Sequence, residues 1–356
     1  MLKKILLIVQ RSNGDVFLSA SLINKLSAQF LNPEIDLLVN DDTFEIANCL
    51  PKVNKIITFS YEKKKNERIK QEKEIFKKIF RKYDLSISLT ASDRSVIYAL
   101  AASSYSIAPV EKDLYKSWWK KLLLKKHFFW DSNRHIISNN LYPLKLLNIN
   151  YKPEIEEPLL NLEDLNKIKL QLANRKITKF IIFHPSAQYN YKIYPVEQRL
   201  KLLELLQSTG LKIIVTGGKS KLDKKISKTI PKDKNIFNLI GKTTLSEFIC
   251  LSHLSECYIG MDTLNMHIAS SQNKKVFAIM GPTNLNVWSP WSNISGPVKV
   301  NNSPYQVYGN NHIFQAEMPC VPCGAAGCSN LGIKSECLNE IKPEFIFSKV
   351  KIQLTL

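Results

Sequence analysis

The sequence predicts an α/β protein built on parallel sheets, and three observations carry that prediction. Short apolar runs of strand length recur along the chain, stretches with helical spacing separate them, and polar turns follow the runs at their carboxyl ends. Strands alternating with helices imply parallel pairing through crossover connections. The first run, 5–9 (ILLIV), suits a strand buried on both faces. A polar turn with Asn13, Gly14 and Asp15 follows, and Val16, Leu18, Leu22, Ile23 and Leu26 then recur at helical spacing. Residues 35–39, 56–59 and 85–89 are the next strands. A short helix is expected near 44–49 and a solvated, Lys- and Glu-dense helix over 62–82.

The pattern then restarts. A strand at 180–183 (FIIF) ends at His184-Pro185, a helix covers 196–208, and a strand at 211–215 ends in Thr216-Gly217-Gly218. A helix at 245–254, a strand at 256–259, a helix at 263–271 and a strand at 276–280 follow, the last ending in Gly281-Pro282-Thr283. The proline-bearing stretch 151–158 lies between the two series and reads as a linker, so two α/β lobes are expected. Ligands of open α/β sheets sit beyond the carboxyl ends of the strands.

The 356 residues, 44% of them hydrophobic, suffice for more than one core. Fifty basic residues against 31 acidic ones give a net charge of +19. Such an excess suits an anionic partner: a nucleic acid, a membrane surface or a phosphorylated substrate. A genomic bias toward Lys, Ile and Asn would produce the same excess. No helix-turn-helix or stacking-sheet signature appears, so no nucleic-acid partner is expected. The apolar run near the start is too short for a signal peptide. The longest uncharged stretch, 95–110, is diluted by serines and makes a poor spanning helix. A cytoplasmic chain is therefore expected. Residues 112–130 interleave Trp118, Trp119, Phe128, Phe129 and several leucines with lysines. Such a segment either lies on an anionic membrane surface or packs its apolar side on its own lobe.

Several residues could do chemistry. Asp15, after a strand and a turn, could take a proton from a hydroxyl or cap the following helix. Ser186 and Lys192, after the strand 180–183, suit a leaving diphosphate, with the lysine offsetting the growing negative charge. Asp262 and Thr263 stand where a strand meets a helix. Asp262 could cap that helix, and the free N–H groups of its first turn form an anion site. His267, one turn further, points back toward that terminus or is a core histidine bonded to a carbonyl. Cys320, Cys323, Cys328 and Cys337 have the spacing C-x2-C-x4-C-x8-C, which suits structural zinc. Four thiols without metal are the alternative.

Seven segments in this order resemble glycosyltransferase family 9, the lipopolysaccharide heptosyltransferases. They are RSNGDVFLSASLINKL (11–26), FHPSAQYNYKIYP (183–195), VTGG (215–218), LIGKTTLSEFI (239–249), YIGMDTLNMHIAS (258–270), FAIMGPTNLNVWSPW (277–291) and PCVPCGAAGCSNLGIKSECLNEI (319–341). The last looks most like the inner-core heptosyltransferase III type. The resemblance implies a GT-B fold: two Rossmann-like lobes with a cleft between them. Residues 1–165 would bind the acceptor, 166–340 the nucleotide sugar, and 341–356 would form a helix that packs back. It also implies an inverting, metal-independent transfer of heptose from ADP-heptose to the lipopolysaccharide inner core, with no cofactor required. The implied acceptor is a lipid A–inner core glycolipid, and the implied location is peripheral, on the anionic inner face of the cytoplasmic membrane. Asp15 matches the family's base, and Lys192 and Ser186 match positions near the donor diphosphate. Asp262 and Thr263 match its phosphate site, Thr243 falls near the adenine, and Asp223 near a carboxylate that takes the ribose hydroxyls. Leu264, Tyr194 and Ile193 depart from the family's usual glycine, tryptophan and second basic residue. The competing class is a member without turnover that binds membrane or glycolipid, or one that uses another nucleotide sugar.

Overall fold

The computed structural model describes residues 2–298 and 303–354. The chain divides into two compact units, 1–159 and 160–356. The first holds strands β1 (Lys4–Val9), β2 (Glu34–Asn40), β3 (Lys55–Phe59), β4 (Leu85–Ser88), β5 (Ser106–Val110) and β6 (Lys126–Phe129). They form one sheet in the order β3-β2-β1-β4-β5-β6, and every pairing is parallel. From Ile5 onward β1 is buried on both faces, as the central strand of such a sheet must be. One face packs Leu6, Ile8, Leu38, Ile57 and Phe59 against Ile75, Ile79 and Tyr98 of the covering helices.

Local departures from the sequence pattern have local causes. The turn at Asn13–Asp15 is already the first turn of the helix Asn13–Leu18. The helix expected over 62–82 is two, Tyr61–Asn66 and Arg68–Ile79, broken at Glu67 with φ −131°. The second buries Gln71, Ile75 and Ile79, one stripe on an otherwise solvated rod. Segment 112–130 is not a single helix. Leu114–Leu123 is helical, and Lys126–Phe129 turns into the edge strand β6.

The second unit holds β7 (Phe180–His184), β8 (Lys212–Val215), β9 (Ile236–Asn238), β10 (Cys257–Met261), β11 (Lys275–Met280), β12 (Tyr305–Tyr308) and β13 (Asn311–Gln315). Their order is β12-β13-β11-β10-β7-β8-β9, parallel except for the β12–β13 hairpin. At the centre, Gly260 of β10 lies opposite His184 of β7. A Cβ there would come within 2.5 Å of the His184 carbonyl oxygen, so only glycine permits this close approach. The helix Leu162–Asn174 belongs to this unit. Its Asp164 accepts a 2.5 Å bond from Ser246, which places the division a few residues ahead of the expected 165. The closing helix Pro343–Leu354 packs on Val196–Gln207 and buries Ile346 and Val350 in the same core as Leu203 and Leu206. Tyr194, at the position of the family's usual tryptophan, is buried and donates a hydrogen bond to the Ile341 carbonyl. Among the described residues no helix is long and apolar enough to cross a membrane.

Both sheets have a point where successive strands depart in opposite directions. It lies between β1 and β4 in the first unit and between β7 and β10 in the second. Ligands of doubly wound sheets bind beyond the strand ends at such points.

Candidate active site

In the first unit, Asp15 sits just beyond the end of β1 and is only 5% exposed. Ser12 donates a 2.6 Å hydrogen bond to Asp15 Oδ2. Arg11 Nε lies 2.9 Å from Oδ1, but off the hydrogen-bond direction, so Oδ1 accepts no hydrogen bond. No helix N–H donates to the carboxylate, so capping does not account for it. Two neighbours are in the same condition. Gln10 Nε2 and Asn40 Oδ1 are buried and unpartnered, although Gln10 Oε1 accepts from Ser95 at 2.8 Å and Asn40 Nδ2 donates to the Arg11 carbonyl. Buried polar atoms rarely go unpaired, because each forfeits its bonds to water. Two such atoms at the ends of β1 and β2, beside a carboxylate oxygen whose one neighbour is the Arg11 guanidinium, make a place that can take a polar ligand. Arg94 borders it: its guanidinium lies 3.7 Å from the centre of the Phe59 ring and donates to Tyr61 Oη at 2.8 Å.

In the second unit, Lys192 ends a short turn after β7, and its Nζ lies 2.6 Å from Asp262 Oδ2 at the end of β10. Thr283, from the turn after β11, donates to the same oxygen at 2.6 Å. Burial pulls the Lys192 ammonium down, but the Asp262 carboxylate outweighs it and the net shift is upward. For Asp262, burial favours the neutral acid. Lys192, Thr283 and His267 outweigh it, so the carboxyl lies below its ordinary value. The pair is therefore charged. Asp262 does not cap the following helix, contrary to one of its sequence readings, because Lys192 and Thr283 claim its side chain. The N-cap of Leu264–Ser271 is Thr263, whose side chain makes no capping bond, and the first-turn N–H groups have no side-chain cap. Leu264 is the first helical residue and is half-buried.

His267, one turn along, is buried, and its Nδ1 has no partner. Burial pushes its ring down to about 4, so it is neutral near pH 7. His184, at the end of β7, is likewise lowered to about 4 by burial. It meets Thr216 Oγ1 at 2.9 Å and Asn265 Nδ2 at 3.2 Å and stacks on Tyr258. The sequence alone does not single out Thr283, His184, Asn265 or Tyr258 as site residues. Thr283 and His184 share the signal that picks out the others, a polar residue just past a buried strand.

Asp223, which the resemblance sets near a carboxylate that takes the ribose hydroxyls, is bonded to groups of its own lobe. Its Oδ1 accepts from Ser186 Oγ and from the Gly218 N–H at 3.0 Å, while Oδ2 accepts from the Ser220 N–H at 2.9 Å and Ser220 Oγ at 2.5 Å. Four donors exhaust a carboxylate's lone pairs. Burial opposes its charge, but the bonds from Ser186, Ser220 and Gly218 prevail and lower it. Ser186, its O–H donated as a hydrogen bond to Asp223, can only accept from a further partner in this arrangement. Thr243 is half-buried, just ahead of the Thr244–Glu247 capping box that starts the helix Leu245–Leu254.

Cys320, Cys323 and Cys328 are exposed and Cys337 is buried. Burial, then the three other sulfurs, push the Cys337 thiol up to about 11, so the four share one neighbourhood. Among the described residues, however, no group of three or more His, Cys, Asp or Glu is arranged to hold a metal ion. The donor set expected for structural zinc is thus not assembled. Cys337 is buried on its helix, the other three thiols face solvent, and Cys328 Sγ accepts the Glu336 N–H.

The family model for glycosyltransferase family 9 (heptosyltransferase) matches residues 73–315. Lipopolysaccharide heptosyltransferase 3 of Escherichia coli is 23% identical over 292 residues, 80% of this chain and 85% of that protein. E. coli ADP-heptose lps heptosyltransferase II aligns with a TM-score of 0.75 at 17% identity, covering 99% of this chain and 98% of that one. E. coli heptosyltransferase WaaC with ADP aligns with a TM-score of 0.71 at 13% identity, covering 98% and 99%. At such identities the solved structures speak to fold, and the fold is GT-B, two Rossmann-like lobes. A family match over more than half of the chain, on that fold, places this protein in glycosyltransferase family 9, the heptosyltransferases.

Proposed function

We propose that this chain is an inverting, metal-independent transferase that moves heptose from ADP-heptose to the inner core of lipopolysaccharide. The observation that carries the reading is the charged Lys192–Asp262 pair beside a helix start free of side-chain caps, at the β7/β10 switch point. Asp262 and Thr283 aim Lys192, whose remaining N–H donors meet the diphosphate. The first-turn N–H groups after Thr263 add a second positive pole. These groups offset the charge that grows on the leaving diphosphate, the task a metal performs elsewhere. Leu264 does not obstruct this, since the donors are backbone groups. Thr243 lies beside the adenine. Ser186, as an acceptor, suits a hydroxyl of the donor rather than a phosphate oxygen. His267, neutral and with a free nitrogen, suits a sugar hydroxyl or a bridging oxygen.

The first lobe supplies the base. Asp15 takes the proton of an acceptor hydroxyl, and that oxygen bonds to the anomeric carbon as the bond to the diphosphate breaks and ADP leaves. One displacement on the face opposite the leaving group inverts the anomeric centre. Gln10 Nε2 and Asn40 Oδ1 hold acceptor hydroxyls, which explains why the chain leaves them unpaired. The acceptor is the lipid A–inner core glycolipid at the inner face of the cytoplasmic membrane, where the protein is peripheral. This choice of substrates is supported by the E. coli relative, a lipopolysaccharide heptosyltransferase, and by the WaaC structure, which is a heptosyltransferase with ADP. The test is incubation with ADP-heptose and a heptose-deficient core, read by mass spectrometry. Gain of one heptose with release of ADP is expected. Transfer from another nucleotide sugar only, or from none, overturns the assignment.

A further inference from the structure

The helix Leu114–Leu123 is built inside out. Tyr115, Trp118 and Leu122, three, then four residues apart, lie on one face and are 93%, 62% and 75% exposed. Leu123 is exposed beside them. The opposite face buries polar groups instead: Ser117 and Lys120 are both 0% exposed. Ser117 Oγ donates to the Asp113 carbonyl at 2.6 Å. The Lys120 ammonium is held by the Ala91 carbonyl at 2.6 Å, by Glu111 at 2.8 Å and by Asp93 at 2.8 Å. Of the two tryptophans only Trp119 packs inward, against Val96, Ala108, Val110 and Leu124. The lobe thus fixes this helix through a buried ammonium and leaves its apolar face outside, the reverse of a surface helix serving its own core.

Exposed lysines flank that face. Lys112 and Lys116 lie toward the start of the helix and Lys125 just beyond its end, while Lys121 reaches over the Phe129 ring at 5.2 Å. Nearby acids are largely committed: Glu111 and Asp93 to Lys120, and Asp113 to the helix N-cap and to Lys116. We infer that this face is the surface by which the protein docks on an anionic phospholipid bilayer, with Tyr115, Trp118, Leu122 and Leu123 entering the headgroup zone and the lysines facing the lipid phosphates. The inference rests on reading the acceptor as a membrane glycolipid. Charge complementarity selects the occupant, since lysines are drawn to an anionic lipid surface and aromatic rings settle at its interface.

The test is flotation of the full chain with vesicles of phosphatidylglycerol and phosphatidylethanolamine, with phosphatidylcholine vesicles as the control. The parent chain binds the anionic vesicles, less at raised salt. Trp118→Ser with Leu122→Ser lowers that binding on the order of tenfold or more, leaves the melting temperature unlowered, and leaves transfer to a deacylated, water-soluble acceptor unchanged. Equal binding by parent and variant overturns the proposal. So does a lowered melting temperature, which would make the face part of the core. A parent that ignores vesicles but forms a dimer lost in the variant would show that a second copy covers the face, and overturns it too. Vesicle binding with no transfer to any acceptor would sink the proposed activity and leave the docking surface standing. Transfer to the soluble acceptor without vesicle binding would do the opposite.

Discussion

In the proposed mechanism Asp15 is the base: it is buried, oriented from one side by Ser12, and its Oδ1, 2.9 Å from Arg11 Nε, accepts no hydrogen bond. Asp15→Asn keeps the shape and the Ser12 contact but loses basicity. Turnover should fall roughly a hundred- to ten-thousand-fold, with stability changed by less than about 1 kcal/mol. Steady-state rates and a melting curve on the same preparation check both, and near-normal turnover would remove Asp15 from the mechanism. Asp223 is the opposite case, with every lone pair occupied by its own lobe. Asp223→Ala should cost on the order of 2–4 kcal/mol, because several buried donors lose their acceptor. Urea unfolding measures it. Unchanged stability with ADP affinity lost would return Asp223 to the ribose. Position after a strand was legible in the sequence for Asp15, Lys192 and Asp262. The partner each side chain takes was not, because Thr283 and Lys192 reach Asp262 from turns 21 and 70 residues away.

At the scale of elements, the strand ends also set the pH response. His184 and His267 are lowered by burial from an ordinary value near 6.5 to about 4. The unfolded chain therefore binds protons that the folded chain refuses between those values. The stability that the neutral rings contribute is fully present above pH 6.5 and is lost as pH falls toward 4. The slope is at most about 1.4 kcal/mol per pH unit for each ring. Thermal melting across this window should show the decline, and His267→Asn should flatten it. An unchanged slope in that variant would mean that the ring is reached by water. The sequence revealed β1–β4, β7, β8, β10 and β11, because each carries a short apolar run, continuous where the strand is buried on both faces and shorter in the edge strand β3. It did not reveal β5, β6, β9, β12 and β13. Pro109 interrupts β5 beyond its last residue paired with β4, and β6, β9 and β12 are edges whose residues alternate or are partly exposed. Edge strands owe their shape to a neighbour, which one sequence does not display.

The whole molecule is two units, each with a core drawn from its own residues: Leu6, Ile57 and Tyr98 in one, Ile181, Leu203 and Phe277 in the other. Each is of a size that folds alone. The second unit starts a few residues ahead of the expected 166, and the terminal helix expected to pack back belongs to it. At its start, the helix Leu162–Asn174 buries Leu165, Ile168 and Leu172, and Lys167 pairs with Glu247. At its end, Ile346 and Val350 are fully buried, and Lys275 donates to the Gln353 carbonyl. Both helices close the sheet that carries Lys192, Asp262 and His267. A fragment 160–356 should therefore fold cooperatively and bind ADP with the affinity of the full chain, since every donor-side residue named here lies within it. The shorter fragment 166–340 should not, because removing the last helix takes Ile346 and Val350, both fully buried, out of the core, each contributing roughly 1.5–3 kcal/mol. Circular dichroism melting and calorimetric titration with ADP decide the matter. If 160–356 folds but ignores ADP, the donor site is misplaced. If 166–340 folds and binds as well, the terminal helix is an ornament on the second lobe rather than a wall of its core.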